Sequence, residues 1–411
     1  MEKYLVGGAV RDMLLGTPVK DKDYVVINSS HEDMIAMGFT HCGKDFLVYL
    51  DSQGEEHALA RTERKTEAGY HGFQADYANV TLAEDLLRRD LTINSMAFDE
   101  ETKEVIDPHG GRHDLENRLL RHTSNAFIED PIRVLRVARF AARYHDLGFK
   151  IADETQQLMV TLSKSDEFSA VRPQRVWLEF EKALGEKHPE VFFKVLHECG
   201  ALKTLMPDVD RMFSTIQSPK SHPEGDVGIH SLMVLEQMKR LTDSKELALA
   251  AFLHDIGKVA TPEKDLPKHL KHEKNGLPLF NKLADKYFLP NRYKEISRIG
   301  IQYHTHIHNA FVLKPSTILR MFLDIDAFRK PERVKDLCMI GLADSLGTGN
   351  EPQPYPQKEY IIGALEAATK IDKKKALSQK AHPKVAIEAA RLEAITNYAA
   401  LKLDNSLILT K

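Results

Sequence analysis

The sequence has few cysteines and no long apolar run. Its three cysteines, Cys42, Cys199 and Cys338, lie far apart and form no CxxC pair. This spacing argues against a disulfide framework and against a zinc–thiolate site. No apolar stretch approaches the ~20 residues of a bilayer span, and the first residues, MEKYLVGGAVRD, carry charges early. We therefore expect no membrane span and no signal peptide, and the expected location is the cytoplasm.

The sequence also lacks a strong excess of either charge. Lys and Arg total 57, Asp and Glu total 60, and the formal net charge is -3. Overall charge therefore does not by itself indicate an anionic partner, and any nucleic-acid site must be a local basic patch. A chain of 411 residues is longer than a domain with a single hydrophobic core usually is, so we expect more than one domain. Its 42% hydrophobic and 28% charged residues are typical of globular proteins.

Strand-like and helix-like patterns occupy different parts of the chain. Short β-type runs (YLVGG, YVVI, FLVYL) alternate with helical ones over the first ~110 residues, and helical periodicity dominates afterwards. Polar breaks containing Pro and Gly lie at 216–228 and 345–357. We predict an α/β head with a mixed sheet, followed by three all-α parts. The predicted ranges are 1–140 for the head, 141–220 for the neck, 221–345 for a His-rich domain and 346–411 for the tail.

Two stretches near the N-terminus fit a chemistry of phosphate and metal. In LVGGAVRD, paired glycines ending in Gly8 join a strand to a helix whose free N–H groups could hold a phosphate, with Arg11 in the first turn. In KDKDYVVI, Asp21 and Asp23 point to one face if the strand begins at Lys20 or Asp21, and such like charges repel. The two interpretations are a Mg²⁺ ion between the carboxylates and simple solvation at a strand end.

Arginines recur on one side of a later helix. In IEDPIRVLRVARFAARY, Asp130 before Pro131 is typical of a helix N-cap. Four arginines share one arc of this helix, opposite an apolar face: Arg133, Arg136, Arg139 and Arg143. An ordinary solvated face more often mixes signs or uses lysine, so this row favours contacts with phosphates or bases.

Two charged segments between these motifs give weaker signals. ARTERK offers Glu63 as a candidate third carboxylate, and Arg88-Arg89-Asp90 precedes a short helical stretch. Solvated charge runs are the alternative interpretation of both segments.

Five stretches together resemble the class II tRNA nucleotidyltransferases, the CCA-adding enzymes of bacteria. They are LVGGAVRD, DKDYVV, ARTERK, RRDLTINSMAF and EDPIRVLRVARF, and they occur in the family's order over the first ~145 residues. VRPQRVWLE at 171–179 is similar to the family's neck signature. The His-rich region resembles the long, multifunctional branch.

The resemblance implies a polymerase-β-like head that adds CCA to tRNA from CTP and ATP without a nucleic-acid template. It implies that Asp21 and Asp23 hold Mg²⁺, with Glu63 as a further catalytic carboxylate, and that the neck binds tRNA. The residues implied to contact the nucleotide are Gly8, Arg11, Arg89, Asp130, Arg133, Arg136 and Arg139.

Base chemistry gives Asp130 and Arg133 a specific role within that family. Cytosine and adenine both present an exocyclic amino donor beside a ring-nitrogen acceptor, whereas uracil and guanine present a carbonyl beside an N–H. A carboxylate only accepts hydrogen bonds and a guanidinium only donates them, so an Asp–Arg pair suits C and A. Helix capping is the alternative role of Asp130, and both roles can coexist.

The second half of the chain carries a dispersed H…HD…H…D pattern, in IHSLMVL, FLHDIG, YHTHIHNA and GLADSLG. Imidazoles and carboxylates on neighbouring helices make a mixed N/O site for a divalent metal. The pattern resembles the HD phosphohydrolase superfamily, which implies the ligands His230, His254, Asp255 and Asp344, with His272 and His304 as possible additions. His306 and His308 are predicted to be surface residues.

The long family branch implies hydrolysis of phosphate monoesters, 2′-nucleotides and 2′,3′-cyclic phosphates, with Ni²⁺ or another divalent transition metal. The alternatives are a bacterial poly(A) polymerase, an A-adding or CC-adding specialist, an HD phosphohydrolase whose head only binds RNA, and a signalling nucleotide synthetase–hydrolase. The expected partners are tRNA, CTP and ATP, with no membrane, and the expected state is a monomer or a homodimer.

Overall fold

The structure is a computed structural model that describes residues 1–43, 46–65, 73–378 and 382–408, without the side chains of 63–65, 73–74 and 403–408. The chain divides into two compact units, Met1–Leu205 and Met206–Lys411. Within the described residues, every strand lies in the first unit, and the second unit is helical. The predicted fold class, a mixed-sheet α/β head followed by helical parts, is confirmed. The four-part division remains a prediction.

A mixed sheet forms the centre of the head. The strands are β1 (Glu2–Val6), β2 (Asp23–Ile27), β3 (Thr40–His41), β4 (Val48–Leu50), β5 (Glu56–Leu59), β6 (Thr62–Lys65), β7 (Phe73–Asp76), β8 (Ala97–Phe98), β9 (Val105–Ile106), β10 (Leu119–Leu120) and β11 (Lys150–Ile151). In the described ranges, seven strands form the sheet β3-β4-β5-β2-β1-β8-β9. Only β2 and β5 run parallel in it. β6 pairs antiparallel with β7, and β10 pairs parallel with β11.

The register of β1 and β2 brings the glycine turn and the aspartates to one end of the sheet. The two strands are antiparallel, and Val6 lies opposite Asp23. The strand begins at Asp23, so the condition under which strand geometry would point both carboxylates to one face is not met. Because β1 gives way to the turn after Val6, it offers residues before Asp23 no pairing partner, and Asp21 lies in the preceding loop.

Short helices cover the sheet and continue into a helical part of the first unit. They are α1 (Gly8–Leu14), α2 (His31–Ala36), α3 (Leu82–Leu87), α4 (Gly111–Glu116), α5 (Ile132–Arg143), α6 (Asp153–Leu162), α7 (Asp166–Ser169), α8 (Pro173–Leu184), α9 (Pro189–Glu198) and α10 (Ala201–Leu205). Helix α5 packs against α8 and α9, and its residues Val134, Val137 and Ala138 are fully buried. This packing fixes the arginine side of α5.

Helices build the second unit. They are α11 (Pro207–Asp210), α12 (Val227–Leu241), α13 (Lys245–Leu253), α14 (His272–Lys286), α15 (Asn291–His308), α16 (Pro315–Asp324), α17 (Glu332–Leu346), α18 (Gln357–Thr369), α19 (Lys373–Leu377) and α20 (Pro383–Ile408). Helix α13 is buried from Leu247 to Leu253, as expected of a helix that is apolar on all sides. It contacts α12, α15 and α17, so it lies at the centre of the helices that carry the histidines. In the described part of the chain, none of the helices has the length and apolar character needed to cross a bilayer.

Candidate active sites

A cleft of about 910 Å³ in the first unit brings together the predicted head residues whose side chains the structure describes. The lining includes Gly8, Arg11, Asp21, Asp23, Arg89, Asp130, Arg133, Arg136 and Arg139. This volume lies in the range of small-molecule sites. Glu63 belongs to β6, and its side chain is outside the described part of the structure.

Asp21 and Asp23 lie exposed at the mouth of the cleft. Desolvation raises the pKa of Asp23, and Asp21 raises it further by repulsion, while Arg89 acts in the opposite direction. A bound cation would relieve that repulsion and favour the ionised carboxylate. The donor set, carboxylate oxygens beside a cleft that can admit a phosphate, therefore fits Mg²⁺.

The turn before α1 brings the backbone close to Arg89. Gly7 has a φ of 70°, and a Cβ at this position would lie 2.8 Å from Nη1 of Arg89. Only glycine combines this backbone conformation with so close an approach. Nε of Arg89 is buried and has no hydrogen-bond partner in the described structure. Such an unsatisfied donor at a cleft wall is suited to an anionic ligand.

Arg11 is held more firmly than the sequence suggests. Its Nε donates a 2.9 Å hydrogen bond to Asp12, and its Nη1 donates to the side chain of Asn94. The guanidinium also lies over the rings of Phe140 and Tyr144, at 5.4 and 5.3 Å from their centroids. These contacts fix Arg11 at the floor of the cleft. Asn94 is a site residue that the sequence analysis missed.

The arginine row of α5 is neutralised by acids from elsewhere in the chain. The ion pairs are Arg136–Asp90 at 2.8 Å, Arg139–Glu179 at 2.8 Å and Arg143–Glu186 at 2.9 Å. The sequence analysis did not predict these pairs, which form because α8 packs beside α5 and supplies Glu179, while Asp90 precedes the short turn at 92–94. Arg139 is only 5% exposed. The arginines nevertheless line the cleft.

Asp130 and Arg133 are both held by other parts of the first unit. Helix α5 begins at Ile132 with Pro131 as its N-cap, so the expected N-cap at Asp130 is wrong. Asp130 lies one residue earlier and accepts the N–H of Ile132 at 3.3 Å. Arg175 of α8 donates to both oxygens of Asp130, at 3.2 and 2.9 Å. Arg133 donates to the backbone carbonyls of Ala126 and Arg88, at 3.0 and 2.6 Å. The motif containing Arg175 was identified in the sequence, but this contact was not predicted.

The second unit contains a buried cluster that includes the four predicted HD residues. Nε2 of His230 lies 3.1 Å from Oδ1 of Asp344. Nε2 of His254 lies 3.3 Å from Oδ2 of Asp255 and 3.5 Å from Oδ2 of Asp344. His230 and His254 are completely buried. A cavity of about 540 Å³ opens onto Asp255 and Asp344.

Asp255 also contacts the two additional histidines. Its Oδ1 lies 3.3 Å from Nε2 of His272 and 3.4 Å from Nε2 of His304. The described residues contain four overlapping groups that could hold a metal ion, and two of them include Asp255: His230–His254–Asp255 and Asp255–His272–His304.

The ring orientation and the unsatisfied atoms of the cluster fit metal binding. Nδ1 of three histidines is hydrogen-bonded to a backbone carbonyl, which directs Nε2 inward: His254 to Ala251, His272 to His269 and His304 to Gly300. Nε2 of His254 and Oδ1 of Asp255 are buried without a hydrogen-bond partner in the described structure. A divalent cation would satisfy both atoms.

The carboxylates of Asp255 and Asp344 favour a positive charge at the centre of the cluster. Burial alone would lower the pKa of His254, but Asp255 and Asp344 raise it to about 10. Burial opposes ionisation of Asp255, yet Lys258, whose Nζ lies 2.6 Å away, and His254 hold its pKa well below the usual value. The carboxylates are therefore ionised and available as ligands.

His308 corrects the sequence analysis. Its Nε2 lies 2.7 Å from Oδ2 of Asp344, and its Nδ1 lies 3.0 Å from the Tyr355 hydroxyl. The predicted surface position is wrong because His308 follows His304 by four residues on α15 and so shares its inward face. His306 is half-buried against the edge of Tyr303.

The polar break at 216–228 also belongs to this site. Oε1 of Glu224 lies 2.9 Å from Nδ1 of both His222 and His230. The other oxygen of Glu224 accepts the N–H of Gly349 at 3.2 Å. The sequence analysis missed Glu224, because it lies in a segment interpreted only as a polar break.

Comparisons with known proteins agree along the whole chain. Three family profiles match in succession: "Poly A polymerase head domain" over 3–121, "Probable RNA and SrmB- binding site of polymerase A" over 148–213 and "HD domain" over 227–347. A protein of Shewanella frigidimarina called "Multifunctional CCA protein" is 49% identical over 97% of both chains. The chain belongs to the multifunctional CCA protein family. A relative of the same name from Hahella chejuensis is 47% identical over 92% of this chain and 90% of its own.

Solved structures share the family's fold at lower identity. The Bacillus stearothermophilus CCA-adding enzyme in complex with CTP matches with a TM-score of 0.57 and 22% identity, covering 99% of this chain and 94% of that one. The Thermotoga maritima CCA-adding enzyme complexed with tRNA matches with a TM-score of 0.58 and 20% identity over 97% and 90%. The resemblance stated from the motifs is thus confirmed for family and fold.

Proposed function

We propose that the first unit adds the 3′-terminal CCA to tRNA from CTP and ATP and releases pyrophosphate. The observation that carries this proposal is one cleft lined by the paired aspartates, by Arg89 beside the glycine turn, and by Asp130 with Arg133. These groups meet the three needs of the reaction, namely metal binding, phosphate binding and base selection. The names of the curated relatives support it.

Asp21 and Asp23 would hold Mg²⁺, which supplies neutralisation of the charge on the transferred phosphate and activation of the tRNA 3′-hydroxyl. The chain's own residues position the triphosphate. Arg89 has an unsatisfied donor in Nε and approaches the glycine turn through Nη1, so it is placed to bind a phosphate oxygen. Arg136 and Arg139, fixed by Asp90 and Glu179, provide further N–H donors on the cleft wall.

Base selection is assigned to Asp130 and Arg133. Asp130 accepts a hydrogen bond from the exocyclic amino group of C or A, and Arg133 donates to the adjacent ring nitrogen. The contacts of Arg133 with two backbone carbonyls support this role, because they hold the guanidinium in one place before the nucleotide arrives. Uracil and guanine would instead place a carbonyl oxygen against the Asp130 carboxylate and an N–H against the Arg133 guanidinium. Neither pair can form a hydrogen bond, and buried groups left unpaired in this way discriminate strongly against the wrong base.

The decisive experiment supplies the protein with tRNA transcripts that end before CCA, CA or A, together with single labelled nucleotides. We expect C, C and A to be added in order and addition to stop after the final A. Asp23→Asn should abolish every addition, whereas Asp99→Asn, a half-buried turn residue of the same unit that does not line the cleft, should not. Addition of A alone, or of long A tails, would favour an A-adding specialist or a poly(A) polymerase instead.

For the second unit, we infer hydrolysis of phosphate monoesters, 2′-nucleotides and 2′,3′-cyclic phosphates at tRNA ends. Two metal-ligand groups share Asp255, one with His230 and His254 and the other with His272 and His304. They support a site for two divalent ions, either Ni²⁺ or another transition metal. Two sites in one chain suit each other chemically, because a terminal or cyclic phosphate blocks the hydroxyl that nucleotide addition requires. A tRNA ending in a 2′,3′-cyclic phosphate should therefore become a substrate for CCA addition only when the HD cluster is intact.

A further inference from the structure

A buried carboxylate from the loop before α12 faces the outer nitrogen of His230. The Glu224 side chain is only 3% exposed, and its Oε1 lies 2.9 Å from Nδ1 of His230 and 2.9 Å from Nδ1 of His222. An ionised carboxylate only accepts hydrogen bonds, so each ring must carry a proton on Nδ1 to bond with it. Nε2 of His230, which lies 3.1 Å from Oδ1 of Asp344, then keeps its lone pair. Glu224 therefore favours the tautomer that a metal ligand needs.

His230 differs from the other three histidines of the cluster in how its Nδ1 is held. In His254, His272 and His304, Nδ1 lies 2.7, 2.9 and 2.9 Å from the backbone carbonyl of a residue three or four positions earlier. Nδ1 of His230 is buried and has no well-aligned hydrogen-bond partner in the described structure, and the Glu224 oxygen lies off its N–H direction at 2.9 Å. The orientation of His230 therefore depends on a side chain from outside its own helix.

Glu224 also ties together the two helices that carry His230 and Asp344, α12 and α17. Its Oε2 accepts the N–H of Gly349 at 3.2 Å, and Gly349 lies just after the end of α17. Beside this contact, the side-chain amide of Asn350 donates to the carbonyl of Ser221 at 3.4 Å. One buried carboxylate thus joins the chain before α12 to the chain after α17.

We propose that Glu224 is a positioning residue for metal binding in the second unit, which directs Nε2 of His230 at the ion and keeps His230 beside Asp344. This inference rests on the proposed metal site of the HD cluster and adds to it a residue that is not itself a ligand. A carboxylate behind a ligating histidine orients the ring and makes its inner nitrogen a stronger ligand. Loss of such a contact typically weakens metal binding by about 10- to 100-fold.

The test measures the dissociation constant of Ni²⁺ for the full chain by competition with a metal-binding dye, without any substrate. In Glu224→Ala, we expect the constant of one ion to rise about 10- to 100-fold. Glu224→Gln keeps a neutral oxygen that can accept from His230, so its loss should be measurable but smaller. Glu236→Ala is the matched control, because Glu236 lies on α12 six residues after His230 and pairs with Arg240 at the surface.

Unfolding midpoints with and without Ni²⁺ separate positioning from a purely structural role. If Glu224 positions a ligand, the rise in midpoint that Ni²⁺ causes should shrink in Glu224→Ala, because that rise depends on affinity. Equal losses of midpoint with and without Ni²⁺, together with an unchanged dissociation constant, would overturn the inference. If only Glu224→Gln folds, an unchanged constant in that variant overturns it.

His222→Ala distinguishes a positioning residue from a metal ligand. His222, Glu224 and His230 could themselves hold an ion, since their ligand atoms lie within 4.8 Å of one another. If Glu224 only positions His230, His222→Ala should bind as many Ni²⁺ ions as the wild-type chain. Loss of a whole ion in both His222→Ala and Glu224→Ala would make Glu224 a ligand and overturn the inference.

The same measurements separate this inference from the proposals beneath it. A wild-type chain that binds no Ni²⁺ would overturn the proposed metal site together with the role of Glu224. Because affinity is measured without substrate, a chain that binds Ni²⁺ but hydrolyses no 2′,3′-cyclic phosphate would overturn the proposed hydrolysis alone. Normal Ni²⁺ affinity in Glu224→Ala, with hydrolysis intact, would overturn only the role of Glu224.

Discussion

Nε2 of His230 lies 3.1 Å from Oδ1 of Asp344, although 114 positions separate the two residues. The contact forms because α12 and α17 pack against each other, with both side chains directed to the centre of the second unit. His254 and Asp255 reach the same point from the end of α13. The cluster is therefore a product of helix packing, and its integrity can be tested separately from the head.

His254→Ala should lower phosphohydrolase activity by at least about 100-fold, because it removes a buried inward nitrogen of the cluster. CCA addition to an intact acceptor should be unchanged, since the head cleft lies in the first unit. The measurement is phosphate release from a 2′,3′-cyclic nucleotide. His306→Ala is the control on a histidine outside the metal-ligand groups identified in the described residues. Full activity in His254→Ala would contradict the assigned site.

Metal content should distinguish one ion from two. The chain loaded with Ni²⁺ should retain about two ions after desalting, because both ligand groups share Asp255. His272→Ala should retain about one, and dialysis against a chelator should remove phosphohydrolase activity. The readout is metal per chain by mass spectrometry, with His306→Ala again as control. A single ion in the wild-type chain would rule out the second position.

Gly7→Ala should raise the KM for CTP and ATP by about 10-fold. The added Cβ would lie 2.8 Å from Nη1 of Arg89, so the side chain that binds phosphate must move. Gly16→Ala is a close control, because Gly16 has nearly the same φ, 69° against 70°, but nothing within 4 Å of the added Cβ. Both variants should lose about 1 kcal/mol of stability from the positive φ. Equal kinetic effects would show that backbone strain alone is responsible.

Asp90→Asn should lower the free energy of unfolding by about 1–3 kcal/mol near pH 7. Asp90 is 7% exposed and pairs with Arg136, whose side chain is 35% exposed, so solvent screening reduces the loss below that of a fully buried pair. Urea unfolding gives the measurement. Glu116→Gln removes an exposed carboxylate of the same unit and should change little.

The same pair predicts a dependence on pH. Burial opposes ionisation of Asp90, but Arg136 and the amide of Asn94 hold its pKa below the usual value. Its contribution is therefore complete above the unfolded pKa of about 3.9 and is lost as the pH falls below it. The difference between wild type and Asp90→Asn should be constant from pH 5 to 7 and shrink below about pH 4. A difference that grew at low pH would contradict the assigned ion pair.

Local motifs predicted several elements of the head correctly, whereas contacts between residues far apart in the chain were not predicted. The glycine turn, β2 and α5 were all visible as patterns within a few residues of chain, because turn chemistry and apolar periodicity are local properties. The sequence left the start of β2 open, since its first residue is set by where β1 ends. The counter-charges of α5 were missed because they lie up to 46 positions away.

By itself, the sequence determined the order of the motifs, the family they indicate and the residue types available for metal and phosphate. Only the tertiary structure decided which partners those residues have: Arg175 on Asp130, Glu224 beside His230, and His308 on Asp344. The physical reason is that hydrogen bonds and ion pairs depend on separations of about 3 Å in space. Separations along the chain do not fix those distances until helices and strands have packed.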